Sequence, residues 1–332
     1  MQSIADRHIR TVAVLDRCEV YRGQVFHDGH LWEGHSTGDV ARYRLDVHTA
    51  DGSRVLASVA VPHTLEFLYP FGPRSILVVG KHFVRGRGWR TYHSIAGFNA
   101  GALRVTTHTM PAHLQIEQFA GRPGLMFFNE PGTRRVFRWT GSRAVPFEHD
   151  IRLPGTMLVV PGSLFVHERN RITRGAENVV RIDLADGTLQ RTFQQPRGML
   201  SALVALDGYP WIAAVEPEAD QVLLIDTRSN ALTMTIRVPC APVDAVQLGR
   251  RLIVVGREPK RLMAFDLATR GVPCVADVDL AAIDAEFTIG TVAHVDPRTG
   301  NLFLRSPFHP AVDGSVPVVT MVSGRCFHDG IA

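Results

Sequence analysis

At 332 residues, 45% hydrophobic and 20% charged, the chain carries enough apolar material for a real core, which excludes a disordered protein. Its net charge of +4, from 36 basic against 32 acidic side chains, is scattered in pairs such as Arg134-Arg135 and Arg250-Arg251, which excludes a nucleic-acid surface built as a basic stripe. No apolar run approaches the roughly 18 residues that span a bilayer, and Met1 to Arg10 carries Asp6, Arg7 and Arg10 where a signal peptide needs an apolar stretch, so no membrane partner and a cytoplasmic location are expected.

Taken in order, the chain begins with a strand at His8 to Leu15 that stands before any repeat. A recurring proline then sets a period: Pro62, Pro111, Pro154, Pro196 and Pro239 are spaced roughly 42 to 49 residues apart. Each follows a strand and precedes a new apolar run, as expected where a hydrogen-bond ladder must stop, since proline has no N–H to donate. A second landmark keeps the same phase. A glycine turn leads into an apolar strand at Gly29-His30-Leu31-Trp32, Gly124-Leu125-Met126-Phe127, Gly162-Ser163-Leu164-Phe165 and Gly300-Asn301-Leu302-Phe303. Third strands follow at 39–46, 90–98, 134–140, 178–184, 221–226, 261–267 and 316–322.

Short apolar runs bounded by turn residues, with no sustained helical period, predict an all-β fold. Units of this length with four short antiparallel strands match the blade of a β-propeller, and the period fits the chain seven times. A seven-bladed β-propeller is therefore expected as one domain over residues 1–332. The last unit lacks a strong fourth strand, so the N-terminal strand is expected to complete it and close the ring. The Arg/Gly-rich inserts 83–89 and 170–177 read as loops. Phe26-His27-Asp28-Gly29 and Phe327-His328-Asp329-Gly330 repeat the same four residues and read as tight turns. Trp32, Trp89, Trp139 and Trp211 read as core.

The clearest unit is Asp220 to Pro242: the strand Gln221 to Asp226, the polar turn Thr227-Arg228-Ser229-Asn230, a second strand from Ala231 to Val238, and the exit at Pro239. It resembles the repeat of the YVTN-type, lactonase-like propellers, and 178–197 and 260–271 resemble it more weakly. The resemblance implies a seven-bladed propeller. It leaves the activity open, because that family includes lactonases, lyases and non-catalytic binders.

General catalytic motifs are missing. Gly72 to Lys81 lacks the glycine spacing and the Ser/Thr of a P-loop, His167-Glu168 has Arg171 where a second zinc histidine would stand, and no Gly-x-Ser-x-Gly elbow occurs. The four cysteines, Cys18, Cys240, Cys274 and Cys326, form no Cys-x-x-Cys pair. Free buried thiols are expected, with one Cys18–Cys326 disulfide between the chain ends as the disfavoured alternative.

A site is instead expected where strand-end loops gather at the channel mouth of a propeller. Glu33, His35, His63, Lys81, His82, His113, Asn129, Glu130, His167, Glu168, Arg169, Arg197, Glu216, Arg257, Glu258, Glu286, Arg305 and His309 are assigned to those loops. Imidazoles and carboxylates there suit acid/base work or a divalent metal of undetermined identity. His35, His167 and Glu216 are the catalytic candidates, and His35, His82 and His167 the metal ligands. Lys81, Arg169, Arg197, Arg257 and Arg305 would draw an anionic small molecule to the mouth. The plain alternative is that polar strand ends satisfy loop backbones, and that a Glu before Pro at Glu130, Glu216 and Glu258 is a repeat feature. Three functions follow: a metal-assisted lyase or hydrolase acting on a polar or anionic substrate, a non-catalytic scaffold for a protein partner, and a histidine-ligated metal oxygenase.

Overall fold

Local chemistry builds the blade. The strand Gln221–Asp226 is apolar without alternation because both of its faces are covered: Val222 and Leu224 pack with Leu252 and Val254 on one side, and Leu223 and Ile225 with Phe165 and Ile212 on the other. Asp226 ends it. Its Oδ1 accepts hydrogen bonds from the backbone N–H of Arg228 (3.0 Å) and Ser229 (2.7 Å), which folds the polar turn back on the strand. Asn230 takes the left-handed conformation that the turn needs (φ 54°), a conformation asparagine tolerates. Its buried amide donates to the carbonyls of Val179 (3.0 Å) and Gln190 (2.9 Å) in the preceding blade. The same aspartate marks the third-strand exits at Asp183 and Asp266, whose Oδ1 atoms accept from Ala185 N and Ala268 N.

The computed structural model describes residues 9–14, 24–37, 42–86, 88–109, 118–122, 124–130, 135–139, 144–147, 151, 154–169, 178–191, 198–283, 287, 291–296, 299–306 and 318–328. Its fold is an all-β seven-bladed β-propeller with four antiparallel strands to each blade. The chain opens with β1 (Ile9–Val14). Blade 1 is β2 (Gln24–His27), β3 (His30–Thr37), β4 (Arg42–Thr49) and β5 (Val55–Val61), and blade 2 is β6 (Phe67–Pro70), β7 (Ser75–Val84), β8 (Gly88–Asn99) and β9 (Ala102–Thr109). Blade 3 is β10 (Phe119–Arg122), β11 (Leu125–Glu130), β12 (Arg135–Trp139) and β13 (Ala144–Phe147), and blade 4 is β14 (Pro154–Val160), β15 (Ser163–Glu168), β16 (Asn178–Asp183) and β17 (Leu189–Arg191). Blade 5 is β18 (Ala202–Ala205), β19 (Trp211–Glu216), β20 (Gln221–Asp226) and β21 (Leu232–Arg237), and blade 6 is β22 (Pro242–Leu248), β23 (Arg251–Arg257), β24 (Lys260–Asp266) and β25 (Cys274–Asp279). Blade 7 has β26 (Val292–Val295), β27 (Leu302–Arg305) and β28 (Val318–Val322). As expected, β1 supplies its fourth strand, antiparallel to β28 with Ile9 opposite Val322 and Val14 opposite Val318.

The blades fall into two compact units, one of residues 1–115 with 283–328 and one of 116–282 with 329–332. In the first, blades 1 and 2 pack Trp32, Leu45 and Val47 against Leu68, Ile76 and Val78, while Phe26 and Leu31 meet Phe303 and Val319 of blade 7. In the second, blades 3 and 4 share Phe127, Val136, Leu164 and Val166. Each such aliphatic or aromatic side chain contributes about 1.5–3 kcal/mol by leaving water.

Several expectations change. The ends of the insert 83–89 extend β7 and β8, which pair as far as Val84 and Gly88, while the insert 170–177 lies outside the described residues. Phe26-His27-Asp28-Gly29 does turn tightly, with φ positive at Asp28 and Gly29, but Arg325–His328 is one turn of helix (α1). Cys240 and Cys326 are buried free thiols whereas Cys274 is exposed, and Cys18 lies outside the described residues. Trp32 and Trp139 are core, and Trp211 is half-buried and stacked on Tyr209.

Candidate functional site

Strand register assembles the most concentrated polar group in the described residues. In β3, Glu33 and His35 are two residues apart and so share a face with Leu31. In the antiparallel partner β4, Asp46 stands opposite Glu33 and His48 opposite Leu31, which brings a second acid and a second imidazole to that face. Blade 7 adds a cation from β27: Arg305 Nε and Nη2 donate to Glu33 Oε1 at 2.9 and 2.7 Å, and its Nη1 donates to the carbonyl of Ser306 at 2.6 Å. A polar layer thus sits beside the apolar layer of Phe26, Leu31, Phe303 and Val319.

All five groups are buried: Glu33 is 2% exposed, His35 7%, Asp46 1%, His48 6% and Arg305 5%. Charges there must be paired, because an unpaired buried ion costs several kcal/mol. Asp46 is held by Arg44 (Nε 3.0 Å, Nη2 2.8 Å), by the Ser58 hydroxyl and by His35 Nε2 at 3.1 Å. Burial pushes its pKa up, but hydrogen bonds from His35 and Ser58 and the nearby positive charges outweigh this and leave it below the usual carboxylate value. Burial pushes His48 down, against the opposing pull of Glu33 and Asp46, which keeps its imidazole neutral. Neither His48 ring nitrogen has a hydrogen-bond partner among the described residues, nor does Glu33 Oε2, although His48 Nε2 lies 3.4 Å from it. Glu33, His35 and His48 each bring a ligand atom within 4.8 Å of the others.

The other expected site residues are placed differently. His35, Lys81, His82, His167, Glu216, Arg257 and Arg305 lie in strands and not in loops, because each second strand goes on pairing to its end: His35 with Arg44, His82 with Arg90, His167 with Val179 and Glu216 with Gln221. His167 and Glu216 are buried in their blades, so they are not the exposed loop side chains expected. Glu216 accepts from the backbone N–H of Gly198 through Oε1 (2.5 Å) and from Gln221 Nε2 through Oε2 (2.5 Å). His167 shares a face with Phe165, which packs against blade 5, and Gly155 passes so close that a Cβ there would stand 3.1 Å from His167 Nδ1. His82 is half-buried and edge-on to Tyr92; among the described residues it does not join the ligand group of His35, nor does His167.

Of the basic residues, Lys81 lies 3.6 Å from Glu66, Arg169 donates to the carbonyl of Pro154 (3.2 Å), and Arg305 is committed to Glu33. Arg257 is exposed. Arg197, His113, Glu286 and His309 lie outside the described residues. Asp46 and His48 were missed in the sequence, although Glu33-x-His35 beside Asp46-x-His48 was a readable signal once the two strands were paired.

No protein-family model matches the chain, and no curated protein sequence does. Solved structures match the fold. A chain of a mitotic checkpoint complex covers 94% of this chain and 92% of its own length at 9% identity (TM-score 0.63). BamB from Moraxella catarrhalis covers 92% and 84% at 11% identity (TM-score 0.54), and Hsv2p from Kluyveromyces lactis covers 91% and 97% at 11% identity (TM-score 0.57). At such identities the likeness is of fold alone. It agrees with the seven blades and does not single out the lactonase-like family.

Proposed function

We propose that this chain is a non-catalytic binding propeller, a cytoplasmic scaffold that presents its strand ends and inter-blade loops to a protein partner. The observation that carries this reading is Glu216: both carboxylate oxygens of this catalytic candidate are used inside the protein, one on the Gly198 backbone and one on Gln221. A general base must hold a lone pair toward substrate, and Glu216 directs its oxygens elsewhere. The free thiols Cys240, Cys274 and Cys326 support a reducing compartment.

A second reading is favoured by the Glu33, His35 and His48 group: a metal-assisted lyase or hydrolase that binds a polar or anionic small molecule. The oxygenase needs four histidines, and this group offers two.

One experiment separates the readings. The purified chain, with and without added Zn²⁺ and Mn²⁺, is incubated with a panel of lactones and organic acids while wild type, His35→Ala and Glu216→Ala are compared in urea unfolding. The scaffold reading expects no turnover, and expects Glu216→Ala to cost about 1–3 kcal/mol by leaving the Gly198 N–H unpaired. Turnover that requires the added metal and disappears in folded His35→Ala would restore the enzyme.

A further inference from the structure

We propose that Glu33, His35 and His48, all of blade 1, form a binding site for a borderline divalent metal ion such as Zn²⁺, with Glu33 held in place by Arg305 of blade 7. This goes beyond the scaffold reading and does not depend on it.

Three observations carry the site. The first is distance. Ligands held tetrahedrally at about 2.0–2.1 Å from an ion stand roughly 3.3 Å apart. Glu33 Oε2 lies 3.4 Å from His48 Nε2 and 4.0 Å from His35 Nε2, and the three ligand atoms all lie within 4.8 Å of one another, so side-chain adjustments on the order of an ångström bring them to an ion. The second is the state of the donors. His48 is 94% buried by residue area, its ring nitrogens have no hydrogen-bond partner among the described residues, and Nε2 faces a carboxylate oxygen that also lacks one. A neutral imidazole with an available lone pair is the ligand form. The third is charge. Buried Arg305 offsets one of the buried carboxylates Glu33 and Asp46, and the other is met by Arg44, whose side chain is 43% exposed and shared with solvent. Counting the buried groups alone, this leaves one negative charge, which offsets half of the charge of a dication.

Arg305 then has a second task. By taking Glu33 Oε1 it turns Oε2 toward the histidines, as outer partners orient metal-binding carboxylates. His35 Nε2 is also 3.1 Å from Asp46 Oδ2, so Asp46 stands beside the ion as an outer partner of His35. Histidine binds a metal only through an unprotonated nitrogen, so binding weakens on acidification. Two imidazoles and one carboxylate suit Zn²⁺, Co²⁺ or Cu²⁺ and disfavour Mg²⁺ and Ca²⁺, which prefer oxygen ligands.

The test uses the full chain, stripped with a chelator and titrated with Zn²⁺. The proposal expects one equivalent bound per chain, a melting temperature that rises with Zn²⁺, and binding at least tenfold weaker in His48→Ala. Mg²⁺ should neither bind nor stabilise. Because His48→Ala could fail to fold, wild-type chain loaded with one equivalent of Cu²⁺ is examined by electron paramagnetic resonance, where coupling to two imidazole nitrogens is expected. Zn²⁺ uptake that folded His48→Ala retains in full belongs to surface histidines and overturns the site. So does a Cu²⁺ spectrum without nitrogen coupling, or a wild-type chain that binds no Zn²⁺.

Discussion

Burial decides what each imidazole can do in this chain, and His63 shows the consequence most plainly. It is fully buried after the exit proline of blade 1, with Nδ1 2.7 Å from the carbonyl of Thr64 and Nε2 2.7 Å from Ser94 Oγ, which in turn lies 2.8 Å from Thr107 Oγ1. Nδ1–H therefore donates to the carbonyl and Nε2 accepts from the serine, which is the neutral ring. Burial pushes the pKa down, the Thr64 carbonyl opposes this in part, and His82 adds to the depression. The unfolded chain takes up a proton near pH 6.5 that the folded chain refuses, so stability is full above that value and falls as pH drops below it. His48 and His294 are shifted the same way and add to the slope. The urea midpoint of wild type should fall between pH 7.5 and pH 5. His63→Asn should start lower and fall less; an equally steep fall would show that His63 titrates normally in the folded state.

At the scale of elements, the blades were legible because their signals are local. Asp226, Ser229 and Asn230 form a turn within five residues of chain, closed by the N–H groups of Ser229 and Asn230 on Asp226. The leading strand was legible by subtraction, since blade 7 lacked a fourth strand. The polar site was only half legible. Glu33 and His35 were readable as neighbours, but Arg305 reaches Glu33 across 272 positions of sequence, a contact that exists only once β1 and β28 have closed blade 7 beside blade 1. The strand ends were misplaced into loops because how far a strand runs depends on its partner, and pairing with β4 carries β3 through Thr37. Glycine marks the closest contacts of these strand ends. A Cβ on Gly80 would stand 1.5 Å from the backbone oxygen of Thr64, and one on Gly256 2.1 Å from Cys240 Sγ, while one on Gly97 would meet nothing within 4 Å. Gly80→Ala should therefore cost at least the 1–3 kcal/mol typical of overpacking, about the same order as losing a buried cap. Gly97→Ala, in the next strand of the same blade, should be neutral or slightly stabilising by melting temperature. Equal effects would mean that the strap from Val61 to Leu65 does not lie against β7.

For the whole molecule, the unit of residues 1–115 and 283–328 takes its strands from both ends of the chain, so it cannot be completed until the last blade is made. We propose on this ground that residues 1–332 fold as one domain, and we tie the proposal to β1. Without β1, β28 becomes an edge with unpaired backbone groups, and blade 7 no longer holds Arg305 firmly against Glu33. The most direct measurement is calorimetry of the full chain beside a chain lacking residues 1–16. A single cooperative transition is expected for the full chain and loss of that transition in the shortened one; a transition unchanged in temperature and enthalpy after the deletion would contradict closure of blade 7 by β1.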